Sequence, residues 1–124
     1  MPKIVNFHLP ADNVERAAQF YKDVFGWEFA AFPDSPVPYW THEPHASGGE
    51  GPGVAAAITQ RAEPVKAPVP TIEVDDIDAA LTQVVMHGGR QARVQTIPGV
   101  GRFGYAMDSE DNVIALLQRE KSNG

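Results

Sequence analysis

The residues of this chain that can do chemistry fall mainly on strand-like runs. Asn6 and His8 stand two apart in the alternating run Lys3 to Pro10, so they share one strand face, opposite Val5, Phe7 and Leu9. A histidine titrates near pH ~6.5 unless perturbed, so His8 can act as a general base or as a hydrogen-bond anchor for a ligand. The bland alternative is a histidine satisfied by its own neighbours. Glu73 shares a strand face with Thr71 and Val69. With His8 it would make an acid–base pair or a two-ligand metal site; alone, it is an edge carboxylate in solvent. His42-Glu43-Pro44-His45 sets two histidines three apart, which suits a metal on a helix, but the prolines around them forbid that helix. Tyr39, Trp40, Phe103, Tyr105 and Met107 are bulky enough to wall a cleft for a flat or apolar molecule, although alternation lets only one of Tyr39 and Trp40 face it. The alternative for them is core or dimer interface; Phe25 and Trp27 read as core. Arg102 and Arg16 are candidate partners for a ligand carboxylate, Arg16 in the first turns of a helix and so more naturally an exposed residue.

The element that must position the first of these groups is Asp12 to Trp27. Asp12 can cap a helix, with Glu15 three residues on as in a capping box. Val14, Ala17, Tyr21, Val24 and Phe25 follow at helical spacing, and Gly26 stops the helix. A second copy begins 63 residues later, the difference between 75 and 12, at Asp75-Asp-Ile-Asp78. Ile77, Ala80, Leu81 and Val84 repeat the apolar spacing, Gly88-Gly89 repeats the stop, and Val69 to Val74 repeats the strand before the helix. The ends rhyme as well, Ala57-Ile-Thr-Gln-Arg61 against Ala115-Leu-Leu-Gln-Arg119. A repeat near half the length implies two copies of one supersecondary unit.

Between these landmarks the chain offers strands at Trp27 to Phe32, Val37 to His42 (an edge), Gly53 to Gln60, Gln91 to Thr96, Phe103 to Met107 and Val113 to Gln118. The proline- and glycine-rich stretch Pro33 to Pro52 is irregular, with Ser47 to Gly53 a loop. Each half reads strand, helix, three strands. The expected fold is α+β: two βαβββ modules in one domain (1–124, modules 1–62 and 67–119), forming a curved sheet with a cleft and helices outside.

Composition narrows the function classes. The 124 residues carry a formal charge of −6, and their ten Lys and Arg are scattered, against a nucleic-acid surface. There is no cysteine, hence no disulfide, thiol nucleophile or thiolate metal site. No run approaches the ~20 apolar residues of a membrane span, and no charged-then-apolar leader opens the chain, so a cytoplasmic protein without membrane partners is expected. No GxSxG appears, and Gly99 and Gly101 precede a strand rather than a phosphate-binding helix.

Arg16-Ala-Ala-Gln-Phe-Tyr-Lys-Asp-Val-Phe-Gly-Trp27 and Asp108-Ser-Glu-Asp-Asn-Val-Ile-Ala-Leu-Leu-Gln118, set in paired modules, resemble the vicinal oxygen chelate superfamily of glyoxalases, bleomycin-resistance proteins and extradiol dioxygenases. Ile97-Pro-Gly-Val-Gly101 is similar to short bacterial glyoxalase-related members. The resemblance spans nearly the whole chain. It implies a cleft, a homodimer, and one divalent metal held by His, Glu or Gln on the opening and closing strands of each module. Those positions fall here on Asn6, Ala57, Val69 and Ala115. Valine and alanine have no side-chain donor, and Asn6 offers one neutral oxygen. The expectation is therefore a metal-free and cofactor-free small-molecule-binding protein, its cleft lined by Asn6, His8, Tyr39, Trp40, Thr71, Glu73, Phe103 and Tyr105. The alternative is a glyoxalase-like lyase or isomerase using His8 and Glu73, with or without a divalent metal. A third possibility is a scaffold with no ligand.

Overall fold

The computed structural model describes residues 2–31, 39–42 and 54–120. Ten elements follow one another as β1 (Lys3–Ala11), α1 (Val14–Phe25), β2 (Ala30–Ala31), β3 (Tyr39–His42), β4 (Ala55–Gln60), β5 (Val69–Glu73), α2 (Ile77–Met86), β6 (Arg90–Ile97), β7 (Gly101–Met107) and β8 (Val113–Arg119). This is an α+β fold of two βαβββ modules. The chain forms two compact units, residues 6–69 and residues 70–124 together with 1–5. No helix among the described residues is long and apolar enough to cross a membrane.

In the first unit the strand order is β2-β3-β4-β1, with β4 parallel to β1 and antiparallel to β3. Alternation fixes the two faces of this sheet. Leu9, Ala11, Trp40 and Ile58 meet Val14, Ala18 and Tyr21 of α1, so they face the helix. Asn6, His8, Tyr39 and Ala57 therefore stand on the far face, and the register sets His8 beside Ala57. β3 lies between β2 and β4 rather than at an edge.

Three local expectations change. Asn13, not Asp12, caps α1: its side-chain oxygen accepts from the Arg16 backbone N–H at 2.9 Å. Asp12 instead pairs with Arg61 at 3.0 Å. Of the expected strand Trp27 to Phe32, only Ala30–Ala31 are strand among the described residues, and Phe32 lies outside them. Trp27 stacks on Tyr21, Phe25 and His42 instead of entering a ladder. Phe25 is 56 % exposed and Val24 55 %, so neither belongs to the core; the buried residues of α1 are Val14 and Ala18. Gly26, with φ 75°, ends α1 in the left-handed conformation, as its sequence position suggests.

The second unit has the order β5-β8-β7-β6, with β8 parallel to β5. Ile72, Ala106, Ile114 and Leu116 pack against Ile77 and Leu81 of α2. Thr71, Glu73, Phe103, Tyr105, Ala115 and Leu117 fall on its far face. Here Thr71 stands beside Ala115. Asp76 caps α2 through the Ala79 backbone N–H. The rhyming Gln-Arg ends have matching structural roles. The Gln118 side-chain oxygen accepts from the Ile77 backbone N–H at 2.8 Å, and the Gln60 amide donates to the Asp12 carbonyl oxygen at 3.1 Å, each tying a closing strand to a helix start.

Candidate functional site

On the far face of the first unit, β1 and β3 bring His8 and Tyr39 together. His8 Nε2 lies 3.1 Å from the Tyr39 hydroxyl, sharing a hydrogen bond, and the rings tilt at 57°. His8 is 3 % exposed, and burial lowers its pKa to about 4, so it is neutral near pH 7. Asn6 stands two residues earlier on the same face. Its side-chain oxygen is buried and has no hydrogen-bond partner among the described residues. Trp40 separates from this group. It sits on the helix side against Ala18 and Ile58, because strand alternation places it opposite Tyr39. A cavity of about 380 Å³ lies on that helix side, lined among others by Trp40, Phe29, Lys22 and Glu28.

On the far face of the second unit, Phe103 and Tyr105 meet edge to face at 87° with ring centroids 5.2 Å apart. Burial pushes the Tyr105 phenol upward. Thr71 is 1 % exposed. The Glu73 carboxylate accepts from Arg119 Nε in a short ion pair, with Lys3 Nζ 4.0 Å away. Glu73 is thus a carboxylate engaged by two cations rather than a bare edge group; no reading of the strand alone supplied Arg119, which lies on β8. Arg102, a candidate ligand partner, turns to the helix and grips Asp78 through two hydrogen bonds of 2.7 and 3.1 Å. That contact holds the Asp78 carboxyl below the usual range.

His42 is held by its neighbours. It is 5 % exposed between Trp27 and Phe29, and its Nδ1 donates to the Glu28 carbonyl oxygen at 2.9 Å. His45 lies outside the described residues, as does the loop Ser47 to Gly53.

The four family metal positions can be tested on their donor chemistry. Ala57, Val69 and Ala115 are at most 2 % exposed and carry no ligating atom. Asn6 contributes one neutral amide oxygen. Such a set does not fit a divalent transition metal, which takes several nitrogen, sulfur or carboxylate donors.

Comparison with known proteins agrees with this geometry at the level of fold. Residues 3–36 match the family model "Bleomycin resistance protein-like N-terminal". A glyoxylase-like domain-containing protein of Didymella fabae is 31 % identical over 122 residues, covering 94 % of both chains. Among solved structures, a hypothetical protein of Bacillus halodurans C-125 superposes with a TM-score of 0.73 at 9 % identity, covering 99 % of this chain and 98 % of that one. Methylmalonyl-CoA epimerase of Streptomyces coelicolor, in complex with 2-nitronate-propionyl-CoA, gives 0.68 at 11 % identity over 98 % and 97 % of the two chains. At such identities these structures establish the fold, while the fungal relative reaches across almost the whole sequence. The paired modules, their two signature runs and this relative together show that the chain belongs to the vicinal oxygen chelate superfamily, among its glyoxalase-like members.

Proposed function

We propose that the chain is a small-molecule-binding protein of this superfamily that works without the family's metal. On the first unit, taken by itself, the ligand-contacting groups are Asn6, His8 and Tyr39; on the second, taken by itself, they are Thr71, Phe103 and Tyr105. The observation that carries the reading is the replacement of three metal positions by Ala57, Val69 and Ala115, on strand faces that keep hydrogen-bonding and aromatic side chains. An aromatic or amphipathic molecule suits the Phe103–Tyr105 pair. The acyl-CoA analogue in the epimerase structure is a multiply charged anion, and the charge of −6 here argues against so anionic a ligand.

The enzymatic alternative has weaker physical support. A histidine with a pKa of about 4 is a poor base near neutral pH, and Glu73 is already engaged by Arg119 and Lys3. We also propose a homodimer, supported by the exposed apolar end of α1, where Phe20, Val24 and Phe25 each stay more than half exposed. A cytoplasmic location suits a chain without cysteine.

The test is metal content of tag-free protein, followed by melts with Zn²⁺, Ni²⁺, Mn²⁺ or Fe²⁺ and then with an aromatic ligand library. No metal is expected to copurify or to shift the melt. A native-state ligand at ~100 times its dissociation constant adds about 2.7 kcal/mol, which a melt detects. A stoichiometric metal whose chelation abolishes a turnover would sink the binding-protein reading.

A further inference from the structure

The far face of the first sheet holds a polar atom that the fold leaves unused. The Asn6 side-chain oxygen is shut off from solvent and meets no donor among the described residues. Its neighbours on β4 cannot supply one. Ala55 stands beside Asn6 and Ala57 beside His8, and both end in a methyl group. His8, on the same face, already shares its Nε2 with the Tyr39 hydroxyl. A buried acceptor without a donor loses its hydration and gains nothing, so it destabilises the folded state until something donates to it.

We propose that the Asn6 amide oxygen is the specificity determinant of this site, accepting a hydrogen bond from an N–H or O–H of the bound molecule. The site then selects neutral or cationic donors, such as amides, amines and hydroxyl compounds, and rejects carboxylates. Discrimination of this kind is strong because a ligand without the donor leaves the buried oxygen unpaired, and one with a carboxylate sets acceptor against acceptor. The overall charge of −6 acts in the same direction. The inference rests on the small-molecule reading above, and the experiment separates the two.

The full chain, Asn6→Leu and Asn6→Asp are melted alone and with benzamide, benzylamine, benzoate or toluene. Asn6→Leu keeps the branched shape and removes the orphan acceptor, so its own Tm rises by roughly 2–5 °C. Benzamide and benzylamine raise the Tm of the unsubstituted chain and benzoate does not. Asn6→Leu binds both donors at least tenfold more weakly, and Asn6→Asp, which can only accept, still binds them. A lower Tm for unliganded Asn6→Leu would show the oxygen satisfied within the folded protein and overturn the proposal. Donor binding lost in Asn6→Asp but kept by Asn6→Leu would overturn it too, as would a benzoate shift equal to that of benzamide. If toluene stabilises the chain while benzamide and benzylamine do no better, the small-molecule reading stands and the role of Asn6 falls. If none of the four stabilises it, both fall.

Discussion

At His8, burial decides the protonation state, and that has a pH signature. The folded side chain titrates at about 4 and the unfolded one near 6.5, because desolvation disfavours the imidazolium. Between those values the unfolded state binds the extra proton. Stability is therefore full above pH 6.5 and falls as the pH drops toward 4, by about 3 kcal/mol for a shift of this size. The depressed carboxyls of Asp78 and Asp108 act only below their ordinary 3.8, so the windows separate. Asp108 is held down by the backbone N–H groups of Asn112 and Glu110 in its turn. Urea unfolding at pH 7 and pH 4.5 is expected to show a large loss for the unsubstituted chain and a clearly smaller one for His8→Gln; equal losses would assign the titration to another group. The His8–Asn6 pairing on one face was legible from strand alternation. The Tyr39 partner was not, because it comes from another strand, and sequence spacing carries no information about which strands lie side by side.

Among the elements, the two helices share a device at their starts but differ in how firmly the sheet holds them. Asn13 caps α1 and Asp76 caps α2, yet among the described residues only α2 has its first backbone N–H taken by a strand residue, Gln118, and its first turn clamped to β7 by Asp78 and Arg102. Asn13→Ala is expected to cost about 1 kcal/mol. Asp12→Ala should cost less, since an exposed pair such as that with Arg61 is worth about 0.2–1 kcal/mol and is screened by solvent. Denaturant midpoints of the two variants decide between the caps, and a larger loss for Asp12→Ala would restore it as the cap. Hydrophobic spacing located α2 over Ile77–Met86, because an apolar stripe, an acidic cap and a glycine stop all agreed there. It failed at Val24, Phe25 and Trp27, where the helical stripe runs on past the sheet that could bury it. Those rings stack on one another instead. On β7, Gly101 takes φ 141°, and a Cβ there would sit 2.1 Å from the Gln118 carbonyl oxygen. Gly101→Ala is expected to destabilise by about 2 kcal/mol or more, measured in the same denaturant series.

For the whole molecule, the exposed end of α1 bears on assembly. Phe20 and Phe25 are 55 % and 56 % exposed, too large an apolar pair to leave wet without consequence. Light scattering on a sizing column is expected to give a dimer for the natural chain and a shift toward monomer for Phe20→Ser with Phe25→Ser; an unchanged mass would place any dimer contact elsewhere. The parallel pairing described above also sets a timetable for the nascent chain. β1 pairs in parallel with β4, with His8 opposite Ala57, and β5 pairs in parallel with β8, with Thr71 opposite Ala115. Each pairing closes across a helix and two strands, a long-range contact of the slow kind. During synthesis, the Asn6–Ala11 part of β1 with α1 must therefore wait, half-finished, until Gln60 has left the ribosome. β5 and α2 wait likewise for Arg119. In those two intervals Leu9 and Ile72 face a helix without the strand that shares their layer, and aggregation of the growing chain is expected to be greatest then.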